Sequence, residues 1–150
     1  MTDRRPAIHR ILFLCSGNYY RSRFAEVLFN ELVAREQLNW QAFSRGLVAD
    51  RPNGNEGPIS PHTLRGLEAR GIPAPQPARF PRQLQEWELE AAVLVIAVKE
   101  AEHRPMLAER FPGWQERVEY WHVHDLDGAS PGGALSQIES LVQTLVAQLP

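Results

Sequence analysis

The run Ile11 to Ser22 brings together residue types that could bind an anion and attack it. The chain's one cysteine, Cys15, ends an apolar stretch, Gly17 and Asn18 follow it, and Arg21 and Ser22 open an amphipathic segment. A loop that wraps from a strand into a helix N-terminus points backbone N–H groups inward, and the helix dipole adds partial positive charge, so the pair makes an anion cradle. A thiol in that field ionises more readily than a free one, and the thiolate is the nucleophile. Gly17 permits close backbone approach, and Asn18 is the non-glycine residue that best tolerates positive φ. Arg21 offers a planar fork that grips two oxygens of a tetrahedral anion. Ser22 is close enough in sequence to donate a hydroxyl hydrogen bond to the Cys15 sulfur. A buried free cysteine at a strand end would be unremarkable on its own. The Gly, Asn, Arg and Ser at these offsets point instead to a catalytic or anion-binding loop.

The segment from Cys15 to Ser22 resembles the C-x5-R-S loop of the low-molecular-weight protein tyrosine phosphatases, and the resemblance runs through the whole chain. C-x5-R alone is shared by unrelated phosphatase folds. The position straight after the first strand, with Gly17 and Asn18 inside the loop, is more specific. The resemblance implies a metal-independent phosphatase in which Cys15 attacks phosphorus and forms a phosphocysteine. Arg21 and the loop Ser16, Gly17, Asn18, Tyr19, Tyr20 and Ser22 would hold the phosphate. The family's general acid is an Asp after the last strand, which would protonate the leaving group and then activate water. Asp125 fits that place best, and Asp127 is the other candidate. The alternative is that both aspartates merely open a turn before Gly128.

Departures from the family pattern bear on substrate choice. Tyr20 stands where a second cysteine usually sits, so Cys15 has no disulfide partner in the chain. Arg23 replaces a proline and adds a second cation near the loop. Leu126 stands for the proline after the acid, and Asp127 and Gly128 stand where aromatics flank a phosphotyrosine ring in relatives. Tyr19, and Tyr20 if it is not packed inward, could supply a replacement face, whereas Trp40 reads as core. Arg45, Asp50 and Arg51 lie in and after a turn resembling one that borders the family's mouth. His62 could reach Asn18, and Arg79 and Arg82 read as structural ion-pair donors. Two other activities remain open: an arsenate reductase that uses an external small thiol, and a non-catalytic phosphate-binding module.

The elements that must position this loop are legible as alternating β and α segments. Ile8–Leu14 reads as a strand buried on both faces, followed by a helix from Arg21 to about Glu36. Strands are expected at 40–43, 92–98 and 118–121, and helices at 61–70, 84–89, 99–111 and 135–149. Ser60 and Pro61 form an N-cap and first helical position, and Gly71 a stop. Such alternation argues for a parallel sheet with helices on both faces, where ligands bind beyond the strand C-termini. The resemblance adds a flavodoxin-like, three-layer single domain over 1–150, with four strands in order 2-1-3-4.

At 150 residues the chain has the size of one domain, and its net charge of −2 gives no general attraction to nucleic acid or anionic membrane. No apolar run is long enough to span a bilayer, and the N-terminus lacks a signal-peptide core. A cytoplasmic location is expected. The histidines have no spacing with Cys, Asp or Glu that suggests a metal site, and no cofactor is expected. The expected partners are a phosphorylated protein or small phosphoester, with phosphate or vanadate able to occupy the loop. The expected state is a monomer or weak dimer.

Overall fold

In the strand β1, His9–Cys15, successive side chains enter two different cores. Ile11, Phe13 and Cys15 join one, and Leu12 and Leu14 join the other. His9 and Arg10 open the strand exposed, and from Ile11 onward it is buried on both faces, which is why Ile11–Cys15 shows a continuous apolar run and no alternation. Ile8 lies ahead of the strand and is 55% exposed. The computed structural model describes residues 7–123 and 131–150.

The other elements are α1 (Arg21–Arg35), β2 (Trp40–Gly46), α2 (Pro61–Ala69), α3 (Glu86–Ala91), β3 (Leu94–Ala97), α4 (Glu100–Arg110), β4 (Glu119–Tyr120) and α5 (Pro131–Ala147), with a 3-10 turn at Trp114–Glu116. All ladders between the strands are parallel, in the order β2-β1-β3-β4. Helices α1, α2 and α5 cover one face around Phe24, Leu28, Leu67, Ile138 and Val142. Helices α3 and α4 cover the other around Leu84, Leu89, Leu107 and Trp114. The result is a single-domain, three-layer, flavodoxin-like α/β fold, with β1 at the point where the chain turns from one side of the sheet to the other.

Element boundaries depart from the sequence reading where tertiary contacts decide them. β2 continues past Phe43 to Gly46, because Ser44 and Gly46 are buried beneath the loop that follows β1. α5 starts at Pro131, not Leu135. Proline suits a first helical turn, where its missing N–H would have no partner. At α2 the Ser60 hydroxyl accepts from the His62 N–H at 3.1 Å, with Pro61 at the first position. The outer edge of β2 is masked by Asn30, whose amide donates to Ala42 O at 3.1 Å and accepts from Ala42 N at 2.7 Å. That side chain occupies backbone groups that would otherwise template another strand.

Candidate active site

Cys15 closes β1 directly opposite Gly46 of β2, and the chain then curls over the sheet end before α1 begins at Arg21. The curl is anchored from below: Leu47 N–H donates to Cys15 O and Val48 N–H to Ser16 O, both at 2.9 Å. Asn18 takes φ of 51°, the left-handed turn expected of it. Cys15, Asn18, Arg21 and Ser22 are all buried.

The Asn18 amide sets the direction of the hydrogen bonds around the sulfur. Its Oδ1 faces two obligate donors, Arg79 Nη1 at 2.9 Å and the Arg82 backbone N–H at 3.1 Å. Its Nδ2 therefore points the other way and donates to Ser22 Oγ and Ser44 Oγ, each at 2.9 Å. Ser22, already an acceptor from Asn18, has its own hydroxyl hydrogen left for Cys15 Sγ, 2.9 Å away. Ser44 passes its hydrogen to Glu26 Oε1 at 2.7 Å. One buried amide thus leaves a serine hydroxyl beside the sulfur with its hydrogen to give.

Arg21 reaches from the first turn of α1 to α4, where its Nη1 lies 2.8 Å from Glu102 Oε2. The side chain of Ser16 also faces α4, donating to Glu102 Oε1 at 3.0 Å. Burial pushes the Glu102 carboxyl up, but the Arg21 hydrogen bond and charge, with His103 and Ser16, hold it below the usual carboxylate range. Neither Glu102 nor His103 was among the residues singled out from sequence. They lie 86 and 87 positions from Ser16, and no local pattern marks such a contact.

A pocket of about 360 Å³ opens over Cys15 and Arg21, walled by Gly17, Tyr19, Tyr20, Asn55, Ser60, Pro61 and His62. Tyr19 is clamped by its hydroxyl to Glu56 O at 2.6 Å. Tyr20 packs into the core beside α2 while lining the pocket, and its ring meets His62 edge-on at 6.0 Å. Burial raises the Tyr20 phenol above its ordinary value.

Several expectations are revised by these contacts. His62 pairs with Arg65 at 2.9 Å and stands away from the Asn18 network, whose place on that side is taken by Arg79. Arg45 is bound to Glu88 at 2.6 Å, Asp50 to Arg110 at 2.9 Å and Arg51 to Glu109 at 3.4 Å. These three face α3 and α4, so the sequence neighbourhood of the turn misled. Arg79 does form a structural ion pair, with Glu26 at 3.1 Å.

Arg23 is a buried cation under the cradle, but its donors go to carbonyls: Asn18 O at 3.3 Å, Pro58 O at 2.9 Å and Arg79 O at 2.7 Å. Desolvation, helped by Arg79, lowers its pKa to about 10. Its long side chain can do this where the family's proline could not. Trp40 sits at the opposite end of the sheet, its ring tilted against His9 with centroids 4.8 Å apart. His124, Asp125, Leu126, Asp127 and Gly128 lie outside the described residues. Among the described residues there is no cluster of three or more His, Cys, Asp or Glu able to hold a metal ion.

The family model for low molecular weight phosphotyrosine protein phosphatases matches residues 10–149. The chain belongs to that family. It is 31% identical to a protein-arginine-phosphatase of Bacillus subtilis (strain 168), over 93% of this chain and 95% of that protein. Among solved structures, a low molecular weight protein tyrosine phosphatase of T. tengcongensis superposes with a TM-score of 0.78 at 24% identity, covering 94% of this chain and 99% of that one, and shows the shared fold. A cysteine-to-serine mutant of an arginine phosphatase, with its active-site serine phosphorylated, superposes with a TM-score of 0.74 at 28% identity, covering 93% and 94%. The protein is a cysteine-based phosphatase of the low-molecular-weight family. No helix among the described residues is long and apolar enough to cross a membrane.

Proposed function

We propose that the protein hydrolyses aryl phosphate monoesters, foremost phosphotyrosine on proteins, within one domain spanning 1–150 and in the cytoplasm. Cys15 attacks phosphorus in line, and the ester oxygen leaves as the Cys15–phosphorus bond forms. Arg21 and the backbone N–H groups from Ser16 to Ser22 hold the three equatorial oxygens, whose charge is greatest in the transition state. Asp125 gives its proton to the departing phenoxide. As a carboxylate it then takes a proton from the water that cleaves the thiophosphate, releasing inorganic phosphate and restoring the thiolate.

The observation that carries this reading is the chain Asn18 to Ser22 to Cys15, in which a buried amide donates to a serine whose own hydrogen is left for the sulfur 2.9 Å away. A merely structural cysteine has no use for such a donor. The choice of an aryl ester rests on the pocket walls, where Tyr19 and Tyr20 offer aromatic surface and Arg21 is the charged group. A phosphoguanidine carries positive charge beside phosphorus, and among the described lining residues no carboxylate faces it. The kinship with protein-arginine-phosphatases nevertheless makes phosphoarginine the second substrate to test.

Turnover of phosphotyrosine and phosphoarginine peptides of matched sequence decides between the two readings by the ratio of kcat/KM. The aryl reading expects a ratio above one. Cys15→Ser should abolish turnover of both peptides, and vanadate should inhibit the wild-type protein. Asp125→Asn should cost roughly 100- to 10,000-fold, the range of general acid catalysis, with the greatest loss for the least acidic leaving groups. A larger defect in Asp127→Asn would move the acid to Asp127. Thiol-dependent arsenate consumption, or phosphate binding without turnover, would overturn the hydrolytic reading.

A further inference from the structure

The reaction written above leaves two α4 residues without a part, yet both are built into the underside of the cradle. Glu102 faces two ways: Oε2 forms an ion pair with Arg21 Nη1 at 2.8 Å, and Oε1 accepts from Ser16 Oγ at 3.0 Å. His103 has no exposed surface, and its Nε2 lies 3.1 Å from the same Ser16 hydroxyl. The backbone N–H of Lys99 donates to His103 Nδ1 at 3.1 Å, so the ring proton is on Nε2 and is given to Ser16 Oγ. The Ser16 hydrogen is then committed to Glu102. Each bond in the chain has one direction, and the chain ends on the guanidinium.

A guanidinium carries donors on more than one edge, so a carboxylate can hold one N–H while others remain for phosphate. An arginine fixed beforehand loses less rotamer freedom on gripping an anion than one that must be collected from solvent. Arg21 and Glu102 also belong to opposite helical layers, α1 and α4, so their bond ties the two layers together across the sheet end.

We propose that Glu102, held by Ser16 and His103, is a positioning residue that keeps Arg21 in its phosphate-gripping rotamer before substrate arrives. The proposal rests on the reading of Arg21 as the phosphate ligand. The side chain of Ser16 accordingly serves Glu102, and only its backbone N–H serves the anion.

The test is steady-state hydrolysis of aryl phosphates spanning a range of leaving-group pKa, by wild type, Arg21→Ala, Glu102→Ala, Glu102→Gln and the Arg21→Ala/Glu102→Ala pair. Glu102→Ala should lower kcat/KM roughly 10- to 100-fold, the range of one charge-assisted hydrogen bond. The loss should fall mainly on kcat and be equal for every leaving group, since Glu102 acts on the equatorial oxygens through Arg21. Glu102→Gln, which keeps an acceptor, should recover part of it, and it carries the comparison if the alanine variant does not fold. In the Arg21→Ala background Glu102→Ala should change the residual turnover little. An equal loss in that background, or a loss that grows with leaving-group pKa, overturns the proposal. Wild-type turnover in Arg21→Ala would instead overturn the reading on which it rests.

Discussion

At the scale of single residues, the chemistry depends on how few orientations are left to Ser22. Asn18 donates to one lone pair of the hydroxyl, whose own hydrogen is left to meet Cys15 Sγ at 2.9 Å. A hydrogen bond to a charged group is worth about 1.5–3 kcal/mol, and in the proposed mechanism this one serves the thiolate both as nucleophile and as leaving group from the phosphocysteine. Ser22→Ala should therefore lower kcat by roughly 10- to 100-fold, while KM for an aryl phosphate changes little because Arg21 and the loop amides remain. Rapid-mixing experiments should show slower breakdown of the phosphoenzyme as well as slower formation. If both steps keep their wild-type rates, the donor has no catalytic part.

At the scale of elements, the loop is held up by the end of β2. A Cβ built on Gly46 would come within 2.8 Å of Ser16 O, 2.8 Å of the Ala49 Cβ and 3.0 Å of Asn18 N, so backbone must move. Gly46→Ala should cost about 1–3 kcal/mol of stability, as overpacking does, and displace Ser16 and Asn18, two of the residues whose N–H groups are proposed to hold the anion. We expect kcat/KM to fall at least ~10-fold, with a urea midpoint lowered modestly. Full activity in this variant would show that the cradle is not propped there. The loop itself was legible in the sequence because it is local: strand end, turn residues, cation and hydroxyl follow one another. Gly46, Glu102 and His103 were not, since their importance arises from what the sheet brings beneath the loop. Arg23 shows the same limit from the other side. Its position beside the loop was evident, but only the fold reveals three carbonyls converging on its guanidinium.

At the scale of the whole molecule, the buried chain joining α4 to the cradle also sets how the fold responds to acid. Burial pushes His103 down to about 4, with Arg21 and Lys99 acting the same way and Glu102 opposing them. In the unfolded chain a histidine titrates near 6.5. Between these values the unfolded state binds a proton that the native state refuses, so stability must rise with pH through that window and fall on acidification. The shift corresponds to on the order of 3 kcal/mol. Glu102 acts in the same direction at lower pH. Its folded value lies below the ordinary carboxylate value of 4.5, so its contribution is present above that value and lost as pH falls through the depressed one. Urea midpoints of the wild type should therefore decline from about pH 6.5 toward 4, steepening below about 4.5, where the glutamate of the unfolded chain takes a proton that native Glu102 still refuses. His103→Gln, which cannot take up the proton, should be less stable at pH 7 yet nearly flat between pH 6.5 and 4.5. A variant as steep as the wild type over that interval would assign the acid response to other groups. A flattened one would show that the network holding Arg21 is also where acid first loosens the fold.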